Sequence, residues 1–283
     1  MIKTPLSTVI GGAFWTPGAT ILGSSSKNLS QLIKSLFSLG EQGFAYDPND
    51  LTTLYQDAAG TIPVTAAGQP VGLMKDKSGC NNHASQTVSA SRPILQRNAT
   101  TGAYYLAFDG ADDFLQTNNI DFTATDKVSL FAGVRKLSDA TTAMLVELSI
   151  GGQAGNFYIS APHAANNRNY ALYSRGSLLH SSAALAPANY LSPISNVINA
   201  KASISEDSQV LRIDGKQVAQ STTDQGTGNY GNYPLYIGRR AGTTLPFNGH
   251  LYGLIGIGRL TTDSETIALE KAIAKNTGVT LNV

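Results

Sequence analysis

Four histidines and one cysteine are the residues of this chain suited to a soft metal, and their spacing argues against one. His83, His163, His180 and His250 are scattered, with no His-x-x-x-His pair, and Cys80 has no second cysteine to share an ion or a disulfide. An acid/base pair is also missing. Retaining glycosidases need two carboxyl groups about 5–5.5 Å apart, whereas Glu147 and Glu206 stand alone. Neither a Gly-x-Ser-x-Gly elbow nor a phosphate loop ending in Gly-Lys-Ser/Thr occurs. These absences point away from an enzyme. Binding chemistry is better represented. Asn229, Tyr230, Asn232 and Tyr233 around Gly231, followed by Arg239 and Arg240, combine phenols with amides. Aromatic rings stack on sugar faces while amides bond hydroxyls. The same string also reads as a Gly-Asn turn with half-buried tyrosines.

The elements that must position such residues follow from composition and period. Only 14% of the 283 residues are charged and 28 are glycine, with a net charge of +1. An average domain carries about a quarter charged residues, so this chain solvates itself with hydroxyls and amides, as turn-rich β architecture does. With clusters no larger than Arg239-Arg240, no field exists to attract nucleic acid. No apolar run approaches the roughly 20 residues of a membrane span. No secretory signal is visible, so synthesis in the cytoplasm is expected.

Residues 1–25 read as an extended arm with an apolar centre at Ala13, Phe14 and Trp15. Over 26–39 the period changes: Leu29, Leu32, Ile33, Leu36 and Phe37 form one helical stripe, stopped by Gly40. A lone helix of this length is marginal in water, so the stripe packs either on the rest of the chain or on a partner. A short helical turn near 51–55 precedes many short apolar runs: 104–108, 128–135, 144–150, 157–160, 170–174, 197–204, 209–213, 235–237 and 251–259. Strands at this spacing predict an all-β antiparallel sandwich. Hairpins are expected at 204–210 and at Asp214-Gly215. Thr262-Asp263-Ser264-Glu265 is a capping box opening a C-terminal helix that ends at Gly278.

Five motifs now stand in order. They are Asp76-Lys77-Ser78-Gly79-Cys80-Asn81-Asn82-His83, the stretch 105–114 around Phe108-Asp109-Gly110, and the stretch 211–218 around Asp214-Gly215. Leu235-Tyr236-Ile237-Gly238-Arg239 and Phe247-Asn248-Gly249-His250-Leu251-Tyr252-Gly253-Leu254 complete the set. Over residues 70–275 this series resembles the concanavalin A-like lectin/glucanase superfamily, in its laminin-G-like branch. The resemblance implies a jelly-roll β-sandwich, to which the residues read above add an N-terminal arm, an amphipathic helix and a short C-terminal helix. It also implies a calcium site using oxygen ligands such as Asp76 and Asp109. The last motif departs from the pattern, because Tyr252 stands where a carboxylate is expected. No other cofactor is implied.

A second stretch, from Phe44-Ala45-Tyr46-Asp47-Pro48 to Met74-Lys75-Asp76-Lys77-Ser78-Gly79, resembles a leader of tailed-bacteriophage structural proteins that carry a lectin-like domain. It implies a virion-surface fibre, decoration or tail-associated protein. Residues 1–43 would then bind other virion proteins or knit a homo-oligomer, a trimer being common among phage fibres. Residues 44–283 would form the sandwich, with a host-surface glycan as candidate ligand. A purely structural capsid or tail component is the alternative, and a polysaccharide-degrading enzyme a third reading.

Overall fold

The computed structural model describes residues 8–10, 13–15, 27–151, 153–177 and 182–282. Most of the expected arm and His180 lie outside the described residues. Strands β1 (Thr8–Ile10) and β2 (Ala13–Trp15) form a two-stranded antiparallel ladder. Helix α1 (Leu29–Leu36) follows, then β3 (Gly43–Tyr46), a 3-10 turn at Leu51–Thr53, β4 (Leu54–Tyr55), β5 (Leu73–Met74) and β6 (Ala84–Ser85). Next come β7 (Ile94–Arg97), β8 (Tyr104–Asp109), β9 (Leu115–Asp121), β10 (Lys127–Lys136), β11 (Met144–Leu148) and β12 (Asn156–Ser160). The series continues with β13 (Ala171–Arg175), β14 (Ser182–Leu185), β15 (Ile194–Ser203) and β16 (Ser208–Ile213). It closes with β17 (Lys216–Ser221), β18 (Asn232–Ile237), β19 (Asn248–Ile257) and α2 (Asp263–Thr277).

Two antiparallel sheets result. One has eight strands in the order β17-β16-β15-β10-β19-β8-β7, with β3 also pairing β19. The other has nine, ordered β14-β13-β12-β11-β18-β9-β6-β5-β4. The expected hairpins form. At the second, Asp214 (φ 53°) and Gly215 (φ 83°) both take positive φ, the two-residue turn whose twist matches the flanking strands. The sheets face each other across a core that includes Phe108, Phe122, Leu130, Phe157, Leu172 and Leu235, all almost wholly buried. The all-β sandwich with an N-terminal and a C-terminal helix is thus the observed fold.

A second core lies on the outer side of the eight-stranded sheet. Odd-numbered residues of β10 point there, so Phe131 meets Val197, Ile255 and Ile257, and α2 covers them with Leu269 and Ile273. At Gly133 a Cβ would sit 2.6 Å from Ile273 and 2.9 Å from Thr277, which is why the helix can lie flat on the sheet. Helix α1 completes this layer. Its first turn is fixed by Asn28 and Gln31, each side chain accepting the other's backbone N–H. Leu29, Ile33, Leu36 and Phe37 are buried against the second core, and Leu32 is partly buried beside it. This corrects the expectation of an anchoring stripe, because the apolar face of α1 is already covered by its own chain. The helix is also shorter than the 26–39 suggested by period, and Leu39 is 87% exposed.

Arg259 clamps the two helices. Its Nε donates to Glu41 (2.8 Å), its Nη atoms to both Glu265 oxygens (2.9 and 2.7 Å), and Nη2 also to the Leu36 carbonyl (3.1 Å). Glu265 also accepts the Thr262 N–H of the α2 capping box. The Arg259 bonds hold the Glu265 carboxyl down to about 2. A carboxyl depressed on folding stabilises above its ordinary value and loses that contribution as pH falls toward the folded one. Arg259→Met is therefore expected to flatten the fall in melting temperature between about pH 4.5 and pH 2. A variant whose acid limb still parallels the wild type would refute the assignment.

Candidate functional site

The residues expected to bind glycan are not brought together. Tyr230 is a core residue: it is 1% exposed, its ring stands edge-on to Phe157, and its hydroxyl pairs with Ser174 Oγ at 2.6 Å. Asn229 donates to the Thr123 carbonyl, and Tyr233 donates to the Ala154 carbonyl at 3.2 Å. Asn232 is exposed at the start of β18, and its carbonyl accepts from Asn119. Arg239 lies beyond the other end of β18, bonded to the Asp112 and Thr243 carbonyls. Seven residues at about 3.3 Å each put it roughly 20 Å from Asn232. Residues 229–233 are a turn with buried and half-buried tyrosines, and Arg239 is not part of the same surface.

The calcium ligands implied by the resemblance are also apart. Asp76 accepts four bonds from its own chain: Ala45 and Ser78 N–H at Oδ1, Ser78 Oγ–H and Asn82 N–H at Oδ2. It latches loop 76–82 to β3 and has little left for an ion. Asp109 instead gathers with Asp112 and Asp113, ligand atoms within 4.8 Å of one another, and Asp76 is not among them. Tyr252, in the place of the expected carboxylate, accepts from Asn98 at 2.9 Å. These residues do not fit the implied calcium site. Burial, with Asp109 beside it, raises the Asp113 carboxyl to about 6. Such a group stabilises at low pH and loses that contribution as pH rises through about 6. Asp113→Asn should accordingly melt above the wild type at pH 8 and with it at pH 4. Equal melting at pH 8 would show that the crowding costs nothing.

The outer face of the nine-stranded sheet carries what the loop lacks. Cross-strand partners share a face, and the registers Gln116↔Tyr236, Tyr236↔Glu147, Glu147↔Tyr158 and Tyr158↔Tyr173 draw one row across five strands. From Tyr236 to Tyr173 the row spans three strand spacings, about 14 Å. Tyr158 and Tyr173 stack at 4.5 Å and 16°, and both are half-buried. The Arg240 guanidinium lies 5.8 Å from the Tyr158 ring. Tyr173 Oη lies 3.2 Å from His163 Nε2, and burial lowers the pKa of that imidazole. At the edge, Arg175 Nε donates to Asn156 Oδ1 at 2.8 Å.

Glu147 lies at the middle of the row and is fully buried. Arg240 Nε stands 3.4 Å from its Oε1, which has no hydrogen-bond partner, while Oε2 accepts the Ala241 N–H at 3.2 Å. Burial raises its pKa and Arg240 opposes the rise. Loop 240–244 presses on the row: a Cβ at Gly242 (φ +67°) would sit 3.0 Å from Phe114 and 3.4 Å from Tyr236. Phenols, guanidiniums and an imidazole thus share one face, a donor and acceptor set suited to a polyol. A signal for it existed in the sequence. Phe157-Tyr158-Ile159, Leu172-Tyr173-Ser174 and Leu235-Tyr236-Ile237 each set a tyrosine in the outward place of a period-2 strand.

No family model and no curated protein matches the sequence. Solved structures do match. The binding domain of botulinum neurotoxin serotype D superposes with a TM-score of 0.57 at 8% identity, over 82% of this chain and 51% of that one. The serotype D ligand-binding domain in complex with N-acetylneuraminic acid gives 0.55 at 9%, over 85% and 52%. A botulinum neurotoxin type C structure, from work on cell entry dependent on two ganglioside molecules, gives 0.56 at 8%, over 82% and 51%. The chain spans about half the length of these toxin chains. With the sheet order above, they show that it shares the two-sheet antiparallel β-sandwich fold of these toxin domains.

Proposed function

We propose that the chain is a non-enzymatic carbohydrate-binding module whose ligand lies along the tyrosine row of the nine-stranded sheet. The observation that carries this reading is the alignment of Tyr236, Tyr158 and Tyr173 with Arg240 on one outward face. A serotype D domain of the same fold, solved with N-acetylneuraminic acid, supports it. The lone Glu147, without a second carboxylate in the row, supports the absence of hydrolysis. The resemblance of residues 44–79 to a phage leader supports a place on a virion exterior, as a fibre, decoration or tail-associated protein. In that setting attachment falls to residues ahead of α1, since the helix stripe is covered by its own chain.

A glycan array with the full chain tests the reading. Binding is expected, and Tyr173→Ala with Arg240→Gln should weaken it at least about tenfold, the equivalent of 1.4 kcal/mol. A blank array for the folded wild type would favour the purely structural role. Release of reducing ends from a bound glycan would move the protein into the enzyme class.

A further inference from the structure

We propose that the eight-stranded sheet carries a second, separate site, a groove beside the end of α2 in which Arg135 receives the carboxylate of an acidic sugar. The groove has a volume of about 580 Å³ and is bounded by Asn98, Thr101, Arg135, Ser195, Asp214 and Thr280. Arg135 is on the same side of β10 as Phe131 and Gly133, one step past the cover of α2. It is half-buried, and its Nη1 reaches Ser195 Oγ only at 3.5 Å. Among the described residues no carboxylate stands within ion-pair distance of it, whereas Arg212 and Arg259 are both paired. A half-buried guanidinium without a counter-charge is under-solvated, and its planar fork matches a carboxylate.

The surroundings narrow the ligand further. His250, the cross-strand neighbour of Arg135, stacks on Tyr105 at 4.1 Å. Its Nδ1 is buried without a partner, and burial together with the Arg135 charge lowers its pKa to about 4, so the ring is neutral at physiological pH. It adds no competing charge. Across the groove the field reverses. Asp214 holds a carboxylate there, already bonded by Val197 N–H and Asn196 Nδ2 at 2.7 Å each. The last carbonyls of α2 add the negative end of a helix. That wall repels a second anion and accepts from hydroxyl donors, and Thr100, Thr101, Ser195 and Thr280 add further hydroxyls. One carboxylate beside several hydroxyls describes a hexuronate; neutral sugars and polyanions each satisfy only one wall.

Sodium glucuronate is the probe, titrated into the full chain while the His250 imidazole resonances are followed by NMR. Saturable shifts are expected. Arg135→Gln should weaken binding at least tenfold, and Arg135→Lys, which keeps the charge but not the fork, by a smaller factor. Glucose and sodium acetate, each carrying half of the chemistry, should bind at least tenfold more weakly. Tyr173→Ala should leave glucuronate binding unchanged, so this site and the tyrosine row fail separately. The proposal is overturned by an absence of saturable shifts in folded wild type, by equal binding to Arg135→Gln, or by acetate or glucose matching glucuronate.

Discussion

Asp139→Asn is expected to cost about 3–5 kcal/mol of folding stability at neutral pH, the range for stranding one member of a buried ion pair. Its partner Lys136 ends β10 with a side chain that is 0% exposed. The ammonium hydrogen-bonds Asp139 Oδ1 and lies 5.1 Å from the centre of the Tyr170 ring. Asp139 also gathers loops: Oδ2 accepts the Ser192 N–H at 2.7 Å, and its carbonyl accepts the Asn166 N–H at 2.7 Å. Losing the carboxylate leaves a buried cation with a neutral amide and a ring as its compensation, the ring worth about 2 kcal/mol. Lys136→Met should cost less, because it removes the charge together with its need for a partner. Urea unfolding of both variants measures the difference. If Asp139→Asn lies within 1 kcal/mol of the wild type, the ammonium has another partner and the account fails.

Ile33→Ala should lower stability by about 2–4 kcal/mol, as large-to-small changes in a packed core do. Ile33 is 1% exposed within the second core. An isoleucine reserved for an external partner would be dispensable in the isolated chain, so the same variant separates the two roles of the α1 stripe. Unfolding of the isolated protein by denaturant reads it directly. A loss below about 0.5 kcal/mol, the scale of surface substitutions, would mean the stripe is not held as described.

Much of the fold was legible because its signals are local. Thr262-Asp263-Ser264-Glu265 specifies its own reciprocal bonds, and Asp214-Gly215 tolerates the positive φ of its turn, so both appear where the sequence places them. The site was less legible because it is written across strands. Nothing in the sequence states that Tyr158 faces Tyr173, or that Tyr236 joins them through Glu147; those neighbours follow from register. The loop 229–233 misled for a related reason. Its tyrosines look alike in sequence, yet Tyr230 turns into the core toward Phe157 while Tyr233 stays at the margin. Asp76 has the right chemistry for a metal, and only the fold reveals four backbone and hydroxyl donors converging on it. Short strands such as β4, β5 and β6 pass below any pattern, since two residues carry no period.

The layer formed by α1 and α2 also decides how this protein can be handled as a building block. A graft or expression fragment beginning at residue 44 would leave behind Leu29, Ile33, Leu36 and Phe37 and uncover the part of the second core they pack against. A contiguous apolar patch of that kind makes a soluble domain self-associate. A transplantable unit has to begin ahead of Asn28, whose side chain starts the helix. Fusions made on either side of that point should differ in solubility before they differ in binding.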